Sequence, residues 1–381
     1  MKMSTFVKLG TKHIRNAMAE TLYLKTGYDT TKPVSFYVII NERCNVKCRF
    51  CQYWRLDHYR DELSIADWQQ GLKSIKELVG SYSINFSGGE PFLKKGFTDL
   101  LAFCRDNGIH SGVTTNGSTL TQKHAQKIVA TRPLNVNISC DAPNAEVHDY
   151  LRGSEGLFDK LSRGIQYLRE AQEAQNVQFP IVIKPTVNVK NFRLLPELVE
   201  WAKDIGATAV NFQPMGKWTP ETYEELWIEE DLIPELEQIS QQLIHMKQEG
   251  APIMNPPQIL GLLPAHFRGE KAPMSVLPCR VGMRNYFINV AGEVRLCLKF
   301  PKVGKITEKT AKAIWYGQEA KQVRKDTVDC EKLCLISCLS QKTLKDKFNV
   351  GKRLLNKLPN STKEKVTEPP VVPPPTTPIG S

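Results

Sequence analysis

Short apolar runs alternate with helical patterns through the middle of the chain. Residues 34–40 form a β-branched and aromatic run of strand length, the mark of a buried strand. Ile65, Trp68, Leu72, Ile75 and Leu78 then recur at helical spacing, with Ser64 and Asp67 offering a capping-box variant ahead of them. The alternation continues with a strand over 83–86 and a helix marked by Phe97, Leu100, Leu101 and Cys104 and closed by Gly108. A strand over 111–115, a helix over 122–130, a strand over 134–139 and a helix over 158–171 follow. A strand over 181–187, a helix over 194–205 and a strand over 209–213 complete six β-α repeats. That order predicts a parallel sheet with helices outside. Six units fall short of the eight of a closed barrel. The expected fold is therefore α/β, a partial (β/α)6 barrel whose wide mouth admits a bulky substrate.

The ends read differently. Residues 5–24 form a short helix ending near Gly27, and Leu344, Phe348, Leu354 and Leu355 mark a basic amphipathic helix over 342–357. From 366 to 381 the chain is Pro-rich and is expected to be extended and disordered. The organisation expected is a helical arm (1–33), a barrel (34–230), a helical linker (231–278), a small cysteine-bearing domain (279–343), and a basic helix with a Pro-rich tail (344–381).

Composition changes this picture little. At 381 residues the chain holds one large domain plus a smaller one, and 41% apolar with 24% charged is ordinary for a globular protein. No window approaches eighteen apolar residues, so no membrane span is expected. The net charge of +11 sits at the ends: +4 over residues 1–33 and +5 over 341–381, leaving about +2 for the body. Basic ends on a near-neutral body read as solvated tails, and no nucleic-acid motif accompanies them. The first residues show no signal-peptide apolar core. Ten cysteines in such a chain point to a reducing cytoplasm and to metal ligation.

Three of those cysteines carry the chemistry. Cys44, Cys48 and Cys51 follow the first strand with C-x3-C-x2-C spacing. Three close thiolates suit a 4Fe–4S cluster, which normally takes four protein ligands, so one iron is left open for another molecule. A structural zinc site wants four ligands, usually as two pairs, and no fourth Cys or His lies in this loop, although His58 is near. The crowding disfavours disulfides. Other polar residues gather at strand ends, where parallel α/β folds place their sites. Strand two ends in Ser87-Gly88-Gly89-Glu90-Pro91, strand three in Thr114-Thr115-Asn116-Gly117, and strand four in Ser139-Cys140-Asp141. The glycines permit close backbone approach to a ligand, and Glu90 can accept hydrogen bonds from an ammonium group. Cys104, on an amphipathic helix, reads as core, and Cys140 alternates away from Ser139 and Asp141.

The cysteine trio, with Phe50 before the third, and the Gly88-Gly89-Glu90-Pro91 segment resemble the signatures of radical S-adenosylmethionine (SAM) enzymes. The resemblance implies a cluster on Cys44, Cys48 and Cys51 whose open iron binds the amino and carboxylate groups of SAM. It sets Gly88, Gly89 and Glu90 against SAM's amino group. Ser139 would bond ribose or carboxylate oxygens, and Arg152 would pair with the carboxylate through its planar fork. Asp141 either binds ribose or caps its loop, Asn116 is a similar candidate, and Gln213 with Met215 would line the adenine side, core packing being the other reading of Met215. The implied partners are SAM, a flavodoxin- or ferredoxin-type electron donor, and a substrate that is a ribosomally made peptide or a small molecule such as an aminosugar. The head is too short for an added peptide-recognition domain, so a separate protein is expected to deliver a peptide. A non-catalytic iron–sulfur or zinc protein is the rival reading.

Five further cysteines fall in the last third: Cys279, Cys297, Cys330, Cys334 and Cys338. Cys279 and Cys297 flank a hairpin with strands over 286–290 and 293–298, turned at Ala291-Gly292. Four of the five can supply the thiolates of a second cluster, or of a zinc site. The pattern resembles the C-terminal SPASM and shortened twitch extensions of radical SAM enzymes. A full SPASM domain ligates two auxiliary clusters and needs more cysteines than remain, so one auxiliary 4Fe–4S cluster is expected. Cys279 and Cys297 are its first ligands, and the choice among Cys330, Cys334 and Cys338 stays open.

Overall fold

A computed structural model describes residues 3–56, 61–274 and 277–335. The expected basic helix, the Pro-rich tail and Cys338 lie outside these residues. The strands are β1 (Ser35–Ile39), β2 (Ser83–Ser87), β3 (His110–Thr115), β4 (Asn135–Ile138), β5 (Ile181–Ile183), β6 (Thr186–Val187), β7 (Ala209–Val210), β8 (Gln213–Pro214), β9 (Asn285–Ile288), β10 (Glu293–Arg295) and β11 (Gly304–Lys305). The helices that matter below are α1 (Met3–Thr26), α2 (Ile65–Val79), α3 (Phe97–Asp106), α4 (Gln122–Ala130), α5 (Ala145–Arg152), α6 (Leu157–Ala174) and α7 (Leu195–Asp204).

One sheet of nine strands, ordered β11-β10-β9-β1-β2-β3-β4-β5-β7, forms the frame. It is parallel from β9 to β7, as a chain of β-α units requires. In β1 and β2 alternate residues are buried, so Phe36, Val38, Ile84 and Phe86 pack under the helices with Trp68, Leu72, Phe97 and Leu100. Removing each such large side chain from water contributes about 1.5–3 kcal/mol. The opposite face stays polar: Asn85 donates to Thr114 at 3.2 Å, and Asn137 donates to Asn85 at 3.1 Å. The capping box before α2 forms in full between Ser64 and Asp67.

Three features differ from the pattern reading. The fifth strand breaks at Lys184-Pro185, because proline has no N–H to continue a ladder; β6 pairs instead with β8. The sixth breaks at Asn211-Phe212, where the Asn255 side chain accepts from Phe212 N–H and donates to its carbonyl, both at 2.8 Å, replacing ladder bonds. The cysteine-flanked hairpin joins the barrel sheet, β9 pairing parallel with β1 from Ser35↔Asn285 to Val38↔Ile288. β10 runs back antiparallel beside β9, Arg295 opposite Phe287. Cys297 therefore emerges near the start of β1, whereas Cys44 follows its end. The arm helix α1 docks on the same edge: buried Glu20 accepts a two-pronged pair from Arg284, both contacts 2.6 Å.

Candidate active site

The cysteine loop is seated between the ends of β2, β3 and α5. Gly89 N–H donates to Asn41 O and Glu90 N–H to Arg43 O, so residues 88–90 run beside the root of the loop. A Cβ on Gly89 would lie 2.1 Å from Arg43 O, and one on Gly88 2.3 Å from Asn41 O. The close approach these glycines permit is thus to the chain's own backbone. On the other side, Arg49 N–H donates to Leu151 O, and the Arg49 guanidinium stacks 4.0 Å from the Tyr150 ring centre. Gly153, at φ 57°, ends α5 where a Cβ would meet Lys47 O at 2.4 Å. The Trp54 indole donates to Cys48 O at 2.8 Å and closes the loop.

Cys44 and Cys51 are half-buried and Cys48 is buried. Burial pushes all three thiols above their usual range, Cys48 to about 12. Two donors face the sulfurs: Arg152 Nη1 stands 3.7 Å from Cys48 Sγ, and Asn116 Nδ2 3.8 Å from Cys44 Sγ. Cation and amide donors aimed at sulfur stabilise thiolates, the form a metal needs. The donor set therefore fits an iron–sulfur cluster. Among the described residues no three His, Cys, Asp or Glu side chains are gathered to hold a single metal ion.

Three residues expected to touch SAM also make contacts within the chain. Arg152 sets its fork on Asp141, Nε to Oδ2 at 2.6 Å and Nη2 to Oδ1 at 3.0 Å, with Asp141 fully buried. Asp141 also accepts from Thr186 N–H at 2.8 Å. Glu90 is fully buried, accepting from Thr115 Oγ1 and Asn116 N–H at 2.8 Å each and from Phe92 N–H at 3.3 Å. Burial raises its carboxyl to about 7 against those donors. Asn116 is likewise tied to the loop, its amide donating to Asn45 Oδ1 at 3.1 Å. Ser139 and Gln213 stand half-buried at the ends of β4 and the start of β8. Asn41 was not singled out from the sequence, yet its side chain donates to Glu90 O at 2.9 Å. The polar run Asn41-Glu42-Arg43 directly after an apolar strand was the available signal. Cys104 is fully buried, as expected of a core position, and Cys140 is fully buried too.

A second thiol group forms around β9. Cys279, Cys297, Cys330 and Cys334 lie close enough for their charges to act on one another. Cys279, Cys297 and Cys334 pack with Val281, Phe287 and Tyr37, whose ring stacks on Phe287 with centres 5.0 Å apart. Four neighbouring thiols, three of them packed on an apolar wall, are the donor set of a second cluster. Burial raises Cys279 to about 11.

Residues 38–209 match the model of the radical SAM superfamily, and residues 279–339 match that of an iron-sulfur cluster-binding domain, SPASM. An AdoMet-dependent heme synthase of Nitratidesulfovibrio vulgaris is 30% identical over 187 residues, 49% of this chain and 48% of that protein. The mycofactocin maturase MftC of Mycobacterium tuberculosis is 27% identical over 256 residues, 67% of this chain and 61% of that protein. The chain spans about half the length of the curated heme synthase relatives it matches. Streptococcus suis SuiB bound to precursor peptide SuiA shares the fold, with a TM-score of 0.63 at 17% identity over 81% of this chain and 71% of that one.

Proposed function

This chain belongs to the radical SAM superfamily, with a C-terminal SPASM iron–sulfur domain, and from that we propose that it cleaves SAM to modify a ribosomally made peptide. A radical SAM domain binds SAM and a 4Fe–4S cluster, and a SPASM domain an auxiliary cluster. Held by Cys44, Cys48 and Cys51, a reduced cluster would supply the one electron needed for reductive cleavage of SAM to methionine and a hydrogen-abstracting 5′-deoxyadenosyl group.

The chain's own part is positioning. Cys44, Cys48 and Cys51 would hold the cluster. Arg152, locked by Asp141, presents a guanidinium to Cys48 and so favours its thiolate. Glu90 binds Thr115 and the Asn116 backbone, which aims the Asn116 amide at Cys44. Ser139, Gln213 and the backbone of residues 88–90 stand with Glu90, Asp141 and Arg152 as the groups proposed to meet SAM. Cys279, Cys297, Cys330 and Cys334 would hold the auxiliary cluster, beside Tyr37 of the same strand that launches the Cys44 loop.

The observation that carries this reading is the donor-faced thiol trio at the mouth of an open barrel. A maturase among the relatives and a peptide-bound enzyme among the structural neighbours support a peptide substrate. The likeness to a heme synthase favours a second reading, a small-molecule substrate. The test is anaerobic incubation of reduced enzyme and SAM with candidate peptides encoded beside this gene. A peptide that gains a defined mass change together with added 5′-deoxyadenosine supports the first reading. Turnover on small molecules alone supports the second. A separate electron donor and peptide-delivery protein belong to the same proposal.

A further inference from the structure

Four exposed cations gather on the loop that carries the first thiol trio: Lys47, Arg49 and Arg55 on the loop itself, and Lys190 after β6. Two aromatic rings order them. The Arg49 guanidinium lies 4.0 Å from the Tyr150 ring centre, and Lys190 Nζ lies 6.0 Å from the same centre. The Arg55 guanidinium lies 4.3 Å from the Trp54 ring centre, and Lys47 Nζ lies 6.0 Å from it. The two halves are joined, since Arg55 Nη2 donates to Arg49 O at 3.4 Å and Arg49 Nε to Tyr150 O at 3.1 Å. Aromatic faces orient a cation without neutralising it. Among the described residues none of the four is ion-paired with a carboxylate, whereas Arg43 of the same loop meets Glu62 at 3.9 Å. Tyr150 is 40% exposed, so an apolar surface lies open among the charges.

Unpaired cations around an open ring ask for an acidic partner with some apolar surface. Cations interleaved with rings also suit single-stranded nucleic acid, but the place of the patch favours a protein that delivers electrons. Lys47 and Arg49 flank buried Cys48 in the chain, and the Trp54 indole beneath Arg55 donates to Cys48 O at 2.8 Å. A body resting here is therefore one side-chain layer from a residue that would hold the cluster. We propose that Lys47, Arg49, Arg55 and Lys190 form the docking surface for a small acidic one-electron carrier protein, a flavodoxin or ferredoxin. One electron leaves the reduced carrier, which is oxidised, and enters at the loop of Cys44, Cys48 and Cys51, where the cluster is reduced. No bond or proton changes hands in that step. The inference rests on the SAM-cleavage reading and names the surface through which its electron arrives.

The test uses the full chain with both clusters reconstituted. Its probes are a fluorescein-labelled acidic flavodoxin and a likewise labelled acidic ferredoxin. Anisotropy should show at least one carrier binding, about tenfold more weakly in about 0.3 M than in about 0.05 M salt. Lys47→Gln/Arg55→Gln/Lys190→Gln should weaken that binding about tenfold at low salt, and Lys47→Arg/Lys190→Arg should keep it. Lys312→Gln/Lys321→Gln/Lys325→Gln removes as much exposed charge elsewhere and should change binding less than about twofold. Oxidation of the reduced carrier by the chain, followed by stopped-flow absorbance, should slow in the patch variant relative to reduction of the same variant by dithionite. Iron content and the far-ultraviolet spectrum report whether each variant is loaded and folded. Binding of neither carrier, with or without capture of a labelled single-stranded oligonucleotide, overturns the proposal. Salt-independent binding, or equal losses in the two Gln triple variants, overturns it too. The SAM-cleavage reading fails separately, by absence of 5′-deoxyadenosine when dithionite replaces the carrier.

Discussion

The two thiol groups are built on the same strand but held in different ways. The Cys44 loop leaves the end of β1 and is gripped by charged and polar side chains that are themselves buried: Arg152 on Asp141, Glu90 on Thr115 and Asn116. The Cys279 group sits against β1's Tyr37 in an apolar wall with Val281 and Phe287. A buried ionic frame costs desolvation and adds stability only when complete, but it fixes geometry. The first site is therefore shaped before any metal arrives, as a site that must orient a second molecule requires. The second draws cysteines from three separate segments and packs three of them on apolar side chains.

That contrast breaks most visibly at the ion pair. Arg152→Met leaves fully buried Asp141 without its partner, and urea titration should show a loss of about 3–5 kcal/mol. Adding Asp141→Asn should recover part of it. Next comes the backbone seat of the loop. Gly89→Ala puts a Cβ 2.1 Å from Arg43 O, which is backbone, whereas Gly112→Ala meets the Asn135 side-chain oxygen at 2.5 Å, which can turn away. Overpacking costs about 1–3 kcal/mol. Thermal melts should put Gly89→Ala at or beyond the top of that range and Gly112→Ala near the bottom.

Glu90→Gln is smaller, because Gln keeps one acceptor but turns an amide N–H toward the Asn116 donor; about 1–3 kcal/mol at pH 8 is expected. Its pH signature is specific. A carboxyl usually titrates at 4.5 and Glu90 at about 7, so between these values the folded chain holds a proton that the unfolded chain has released. Its contribution is complete below 4.5, is lost as pH rises to about 7 and is flat above. Denaturation of Glu90→Gln across that window should lack the fall. The least effect on the barrel is expected from Cys279→Ser/Cys297→Ser, which should release about four irons per chain and leave the far-ultraviolet spectrum unchanged.

Much of this could be read in the sequence, where each signal was local. The alternation of runs showed the barrel, since a strand or helix writes its burial into its own residues. The cysteine trio was legible for the same reason. Arg152 and Asp141 were not legible as a pair: each carries the chemistry of a ligand-binding residue, and only the fold reveals that the fork meets this carboxylate. Glu90 likewise carries ammonium-binding chemistry, and only the fold shows that its oxygens accept from Thr115 and Asn116. The place of β9 beside β1 was invisible because pairing between distant strands leaves no periodic mark on either. The break at Phe212 needed Asn255, 43 residues away.

Anaerobic assay of 5′-deoxyadenosine, with dithionite and SAM, tests the division of labour most directly. The wild-type chain and Cys279→Ser/Cys297→Ser should both form it, and the Cys44→Ala/Cys48→Ala/Cys51→Ala variant should form none while retaining about four irons. Formation by the triple variant, or none by wild-type chain carrying both clusters, would contradict the account.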